Sequence, residues 1–162
     1  VDSSPTRRKN MAVTTHIMMD TRYKTIAKYT CSAAANTNVE LLDVSDLIGH
    51  QAGGLVNLAK IYWTSLASVA INILFDATSN QTAFICCGTG GTYGYSPGQP
   101  AINVARVATG TQPPFTPSGA LPGGITGDVL VTNASGTFTL VIEYHKVEFT
   151  IGTGNGWSGA NP

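Results

Sequence analysis

An alternation of apolar and polar residues with a period of two is the feature that most constrains the fold of this chain. It is clear over residues 22–29 and again over 68–77. In the second segment, one face would carry Val69, Ile71, Ile73 and Phe75. Because successive side chains of a strand point to opposite faces, this period predicts β-strands. No segment shows a sustained helical period, so the sequence predicts an all-β protein.

About eight short antiparallel strands are expected. They cover, in order, 22–29, 38–43, 59–66, 68–77, 82–87, 102–108, 128–132 and 137–151. Turn-forming residues predict a hairpin loop at Asp76–Thr82 and a hairpin turn at Asn133–Gly136. One helical turn is expected at Val44–Gly49, with Ser45 as its N-cap. Many short strands joined by such turns favour an antiparallel β-sandwich or jelly roll, and a closed barrel is the alternative.

A glycine- and proline-rich segment, residues 88–127, interrupts the strands. It holds ten of the 18 glycines and six of the 8 prolines. A loop of this length in a compact domain is usually functional or disordered. Tyr93, Tyr95 and Phe115 would act as aromatic anchors, so we predict an ordered loop that packs on a neighbouring protein. The end of the chain has the same character around Trp157.

The same patterns divide the chain into three parts. Residues 1–12 show no periodicity and are predicted to form an extended arm. The strands place a β-sandwich domain at 13–151, and residues 152–162 form a C-terminal tail. No apolar run reaches the roughly 18 residues of a membrane span, and three cysteines without framework spacing favour a reducing compartment.

Charge is distributed unevenly although the formal net charge is zero. Residues 1–28 carry a net +4 and residues 29–162 a net −4. Arg7, Arg8 and Lys9 in the arm would therefore contact an acidic surface, and a solvated tail is the alternative. Three cations give only a weak, salt-sensitive contact with nucleic acid. A neighbouring protein is the partner that the charges favour.

The sequence predicts no active site. It contains no GxSxG, HExxH or GxxxxGK[ST] motif. His145, Cys86 and Cys87 lack metal-ligand spacing, so we interpret His145 as a strand residue that faces solvent or an interface. Gly88–Gly91 is interpreted as a turn and not a phosphate loop, because no helix or lysine follows it. We expect no enzyme, no cofactor and no metal.

Two groups of residues leave alternatives open. The carboxylates of Glu40, Asp43 and Asp46 could bind Ca²⁺, but a solvated loop face is the commoner explanation. Tyr62 and Trp63 could stack on a sugar, although aromatic residues within an apolar strand usually belong to a core or an interface.

Five short segments follow one another in a specific order within residues 13–147. They are Leu42–Leu47 (LDVSDL), Leu58–Trp63 (LAKIYW), Ile71–Thr78 (INILFDAT), Thr126–Thr132 (TGDVLVT) and Gly136–Lys146 (GTFTLVIEYHK). In this order they resemble a family of small structural proteins encoded by tailed bacteriophages. The resemblance implies a virion component that is assembled in the host cytoplasm.

The function expected from this resemblance is that of a capsid decoration (cement) protein. Its β-sandwich would bind the major capsid protein as a dimer or trimer and stabilise the shell through protein–protein contacts, with neither a membrane nor nucleic acid as partner. The expected partner-binding residues are Arg7, Arg8, Lys9, Tyr93, Tyr95, Phe115 and Trp157. The alternative is a tail- or fibre-associated domain that binds host glycan or joins virion parts.

Overall fold

The computed structural model describes residues 13–103 and 123–147. This part of the chain is all-β and forms one antiparallel sheet of seven strands, which confirms the predicted fold class. The strands are β1 (Val13–Asp20), β2 (Lys24–Leu42), β3 (Leu55–Ser65), β4 (Ile71–Phe75), β5 (Gln81–Cys86), β6 (Gly90–Tyr93) and β7 (Val129–Val147). A single 3-10 turn, Val44–Asp46, follows β2.

Two strands of 19 residues, β2 and β7, organise the sheet. They pair from Lys24 opposite His145 to Leu42 opposite Val129. The order along the main path is β1-β2-β7-β3-β6. β3 pairs with residues 138–147 of β7, and β4 pairs with residues 129–133 of β7. β5 in turn pairs with β4. The sheet therefore divides along β7 into a branch of β3 and β6 and a branch of β4 and β5.

Side chains from the two branches meet in one core. The Trp63 ring of β3 lies 5.7 Å from the Phe84 ring of β5, and the Tyr93 ring of β6 lies 5.1 Å from Phe84. The predicted inward face of β4 is confirmed, because Ile71, Ile73 and Phe75 are all buried in this core. An all-β fold with one common core is consistent with the predicted sandwich.

The predicted hairpin turn at Asn133–Gly136 is wrong, because β7 runs through these residues without reversing. The facing segment of β2 is irregular, with register shifts and positive φ at Ala33 (51°) and Asn38 (49°). The buried Asn36 amide donates to Asn133 Oδ1 at 2.7 Å. The turn-forming residues of β7 therefore lie in an irregular, bent part of the β2–β7 pair. The Asn side chains there hydrogen-bond to each other across the two strands.

The same bend explains why two of the strands are longer than predicted, whereas β1 and β6 are strands that the sequence does not predict. The segments 22–29 and 38–43 belong to one strand, β2, and the segments 128–132 and 137–147 belong to β7. The hairpin across Asp76–Thr82 is confirmed, since β4 and β5 pair antiparallel.

Three local features also differ from the sequence predictions. Asp43 caps the 3-10 turn in place of Ser45, because its Oδ1 accepts the Ser45 N–H at 2.9 Å. Gly90 and Gly91 lie in β6 and not in a turn, and a Cβ on Gly91 would come within 2.5 Å of the Trp63 ring. Of the predicted strand at 102–108, Ile102 forms a bridge to β3, and residues beyond 103 lie outside the described ranges.

Candidate interaction surface

A buried lysine joins four segments at one corner of the sheet. The Lys146 ammonium donates to Asp20 Oδ1 at 2.7 Å, to the Thr21 carbonyl at 2.6 Å and to the Ile48 carbonyl at 2.7 Å. The Asp20 carboxylate also accepts from Thr25 Oγ1 at 2.9 Å and from the Ile48 N–H at 2.8 Å. We call these five residues the Lys146 cluster. It fixes the ends of β1 and β7, the start of β2 and the loop at residue 48.

The strand β1 lies at one end of the sheet order and, among the described residues, pairs only with β2. Val13 is buried, but the next six residues, Thr14–Met19, are all exposed. Their apolar members Ile17, Met18 and Met19 are 41 %, 56 % and 43 % exposed. An edge strand of a layered β-protein normally packs one face on the core. Both faces of the strand are exposed from Thr14 to Met19.

Two more exposed apolar side chains adjoin β1 at the corner fixed by Lys146. The Tyr23 carbonyl accepts the Lys146 N–H at 2.8 Å, and both backbone groups of Ile48 bond to the Lys146 cluster. The side chains of Tyr23 and Ile48 are nevertheless exposed. We call Thr14–Met19, Tyr23 and Ile48 together the β1 surface. The rigid cluster below this surface holds its corner in place.

The strand part of the β1 surface carries almost no charge, whereas at its corner the Arg22 guanidinium lies 5.2 Å from the centroid of the Tyr23 ring. From Val13 to Met19 the only titratable side chain is His16. Natural edge strands are usually protected from pairing with other chains by lysine, proline or inward-pointing charge. None of these lies between Val13 and Met19, although β1 has a β-bulge at Met18, where it holds one residue more than β2. The strand is therefore chemically suited to accept another strand.

A second exposed area lies at the end of the sheet opposite β1, on β3 and the residues that follow β6. Tyr62 of β3 and Tyr95 are exposed. The Lys60 ammonium lies 5.3 Å from the centroid of the Tyr95 ring, which corresponds to a cation–π contact. We call these three residues the Tyr95 surface. It includes one of the predicted partner-binding residues.

The other predicted partner-binding residues are not brought together with Tyr95. Tyr93 is half-buried, packs on Phe84, and donates its hydroxyl to the Pro100 carbonyl at 2.7 Å, so it is engaged within the chain. The remaining ones, Arg7, Arg8, Lys9, Phe115 and Trp157, lie outside the described residues.

Tyr62 and Trp63, adjacent in sequence, point to opposite faces of β3. Trp63 is buried in the core, and its indole N–H donates to the Cys87 carbonyl at 3.1 Å. Tyr62 alone faces outward, so the two rings do not form a joint stacking platform.

His145 lies exposed on the outer face of β7, where its Nε2 is 3.0 Å from Glu143 Oε1. Burial alone would raise the pKa of Glu143, but the hydrogen bond from His145 and the charges of Lys24 and Lys60 outweigh it and lower the pKa. Within residues 13–103 and 123–147, no group of three His, Cys, Asp or Glu side chains could hold a metal ion.

The carboxylates near the 3-10 turn organise the loops. Asp128 Oδ1 accepts the Val44 N–H at 2.9 Å. Burial raises the pKa of Asp128, and the charges of Asp43 and Asp76 raise it further, against the lowering effect of its hydrogen bonds. Because Asp43 caps the turn and Asp128 binds its first N–H, these groups act as backbone acceptors here.

Comparison with known protein families, curated proteins and solved structures gives no match to this chain. In the part of the chain that the structure describes, no helix has the length and apolar character needed to cross a membrane.

Proposed function

We propose that this chain is a structural component of a tailed-bacteriophage particle, a decoration (cement) protein that binds the shell of the major capsid protein. Its task is mechanical: it adds buried area between neighbouring capsid subunits and performs no reaction. The order of the five sequence segments within residues 13–147 supports this proposal, and so does the low content of charged residues, 11 %.

The observation that carries the proposal is the presence of two separate exposed surfaces at opposite ends of one sheet. The β1 surface lies at the β1 end of the order β1-β2-β7-β3-β6, and the Tyr95 surface lies at the β3–β6 end. Both expose large apolar or aromatic side chains, which are enriched at the centres of protein interfaces. A subunit with two such surfaces can contact two neighbours at once, as a reinforcing protein must.

The alternative, a tail or fibre domain that binds host glycan, is favoured by one observation. The exposed Tyr95 ring with Lys60 beside it offers an aromatic side chain and a hydrogen-bond donor to a sugar. Binding assays can distinguish the two functions, because one predicts binding to phage heads and the other binding to host cells.

The test is reconstitution on particles that lack the chain. We expect heads from a deletion mutant of the gene to release DNA at a lower temperature, and the purified chain to restore their resistance. Tyr95→Ala is expected to weaken head binding about tenfold, since truncating an interface tyrosine commonly costs more than 1 kcal/mol. Leu66→Ala, at an exposed position outside both surfaces, serves as the control and should bind normally.

Three results would count against the proposal. They are unaltered heat resistance of the deletion particles, failure of the purified chain to bind them, and equal binding losses in both variants. Binding to host cells, abolished by Tyr95→Ala, would favour the glycan-binding alternative.

A further inference from the structure

We infer that a second copy of this chain covers β1, through antiparallel pairing of the two β1 strands across a two-fold axis. The sheets of two subunits would then join into one continuous sheet. This inference deepens the proposed function, on which its biological purpose rests, by assigning a partner to the β1 surface. It leaves the Tyr95 surface of each subunit available to the capsid.

The hydrogen-bonding groups of β1 determine what kind of partner fits. An edge strand presents a row of backbone N–H and C=O groups, and another strand satisfies them best. β1 has eight residues and is therefore about 27 Å long. The other described edge strands offer a shorter or less exposed row of backbone groups. β6 has four residues, two of them glycine, and β5 has six residues, four of them partly or fully buried.

The absence of charge on β1 favours a copy of the same strand as partner. In a two-fold symmetric dimer the same surface of each subunit forms the contact. A charged residue near the axis would therefore lie close to the same residue of the second subunit. Like charges directly opposite each other destabilise a strand pair. Between Val13 and Met19 only His16 can carry charge, and the Asp20 carboxylate is already paired with Lys146. Self-pairing of β1 therefore brings few like charges together along the strand, and the Arg22 guanidinium, over the Tyr23 ring, lies at the corner of the surface.

The side chains of β1 give a self-paired contact its apolar area. Ile17, Met18 and Met19 are exposed in the single chain and would lie beside the partner strand, with Tyr23 and Ile48 at its margin. One strand pair buries less than the roughly 1,600 Å² of a standard interface. We therefore expect a dimer with a micromolar dissociation constant, which repeated attachment to a shell would strengthen through avidity.

The test is the mass of the full chain in solution as a function of concentration, by light scattering and sedimentation. The wild-type chain is expected to change from monomer to dimer in the micromolar range. Ile17→Lys places two like charges at the paired strands and should raise the dissociation constant at least about tenfold. The matched control is Ile85→Lys on β5, where the side chain is 48 % exposed, and it should leave the dimer unchanged.

The melting temperature of each variant is measured to show that the variant folds. If Ile17→Lys fails to fold, Met18→Lys takes its place. A chain that stays monomeric at every concentration overturns the inference. A dimer that the folded β1 variant leaves intact, or that Ile85→Lys weakens equally, places the contact elsewhere and also overturns the inference. If removal of residues 148–162 converts a monomer into a dimer, a segment of the same chain covers β1 instead. A dimer that fails to bind heads would refute the proposed function alone, and a monomer that binds them would refute the dimer alone.

Discussion

Replacing Lys146 with methionine is expected to lower the free energy of unfolding by about 3 kcal/mol. Methionine keeps the length of the aliphatic chain but removes the three donors that serve Asp20, Thr21 and Ile48. The Asp20 carboxylate, which is mostly buried, then loses its counter-charge. The cost lies at the low end for a broken buried pair, since Thr25 and Ile48 still donate to Asp20.

The matched control is Lys24→Met on the neighbouring strand. The Lys24 ammonium is partly exposed and lies 3.8 Å from Glu143, so its loss should cost less than about 1 kcal/mol. Adding Asp20→Asn to Lys146→Met should recover part of the stability, because it removes the unpaired charge. Urea unfolding measures all three. Equal losses in Lys146→Met and Lys24→Met would contradict a structural role for the cluster.

Raising the pH above 10 is expected to destabilise the wild-type chain, and a Tyr29→Phe/Tyr144→Phe variant should lose much less stability. The two hydroxyls lie 2.8 Å apart in the core, and both side chains are fully buried. Burial raises the pKa of both phenols well above the usual value of 10.0. Burial is the largest cause of the raised pKa of Tyr29, and the hydrogen bond with Tyr144 lowers this pKa in part.

The sign of the pH effect follows from these raised values. Below pH 10 Tyr29 and Tyr144 are protonated in both the folded and the unfolded chain, so the pair keeps its whole contribution to the free energy of unfolding. Above pH 10 the unfolded chain releases them while the folded chain retains them, and stability falls by about 1.4 kcal/mol per pH unit for each tyrosine. The loss ends only above the raised folded-state pKa values. Cys86, whose pKa burial raises to about 12, adds the same loss to wild type and variant.

The measurement is the free energy of unfolding between pH 8 and 12, with Tyr23→Phe at an exposed position as control. At neutral pH each single Phe variant leaves one hydroxyl without its partner and should cost about 1–3 kcal/mol. The double variant should cost less than the sum, which a double-mutant cycle detects. Parallel pH curves for wild type and double variant would show that the pair does not control alkaline stability.

The sequence predicts β3, β4, β5 and parts of β2 and β7, because period two is a local property, but it predicts neither β1 nor β6. The inward face of β4, with Ile71 and Phe75, needs no knowledge of the rest of the chain. The error at Asn133–Gly136 has a non-local cause. Asn and Gly form turns in isolation, but the partner that keeps β7 extended is Asn36, 97 residues away. Such a partner cannot be identified from the turn residues themselves.

The candidate surfaces show the same division. Tyr95 is predicted as an aromatic anchor from its place in a loop and is exposed, whereas Tyr93, predicted as an anchor in the same loop, packs on Phe84. The β1 surface escapes sequence analysis because the sequence predicts no strand at Val13–Asp20, and Thr14–Met19 does not reveal that both faces are exposed. That property depends on the sheet order. The pair of Lys146 and Asp20, 126 residues apart, likewise requires the folded chain.

The number of copies of this chain in a purified phage particle tests the proposed role most directly. It is measured by mass spectrometry with isotope-labelled peptides of the chain and of the major capsid protein as internal standards. A decoration protein should be present in hundreds of copies, in a fixed ratio to the capsid protein. A small multiple of three or six would place the chain in the tail, and its absence from the particle would contradict the proposed function altogether.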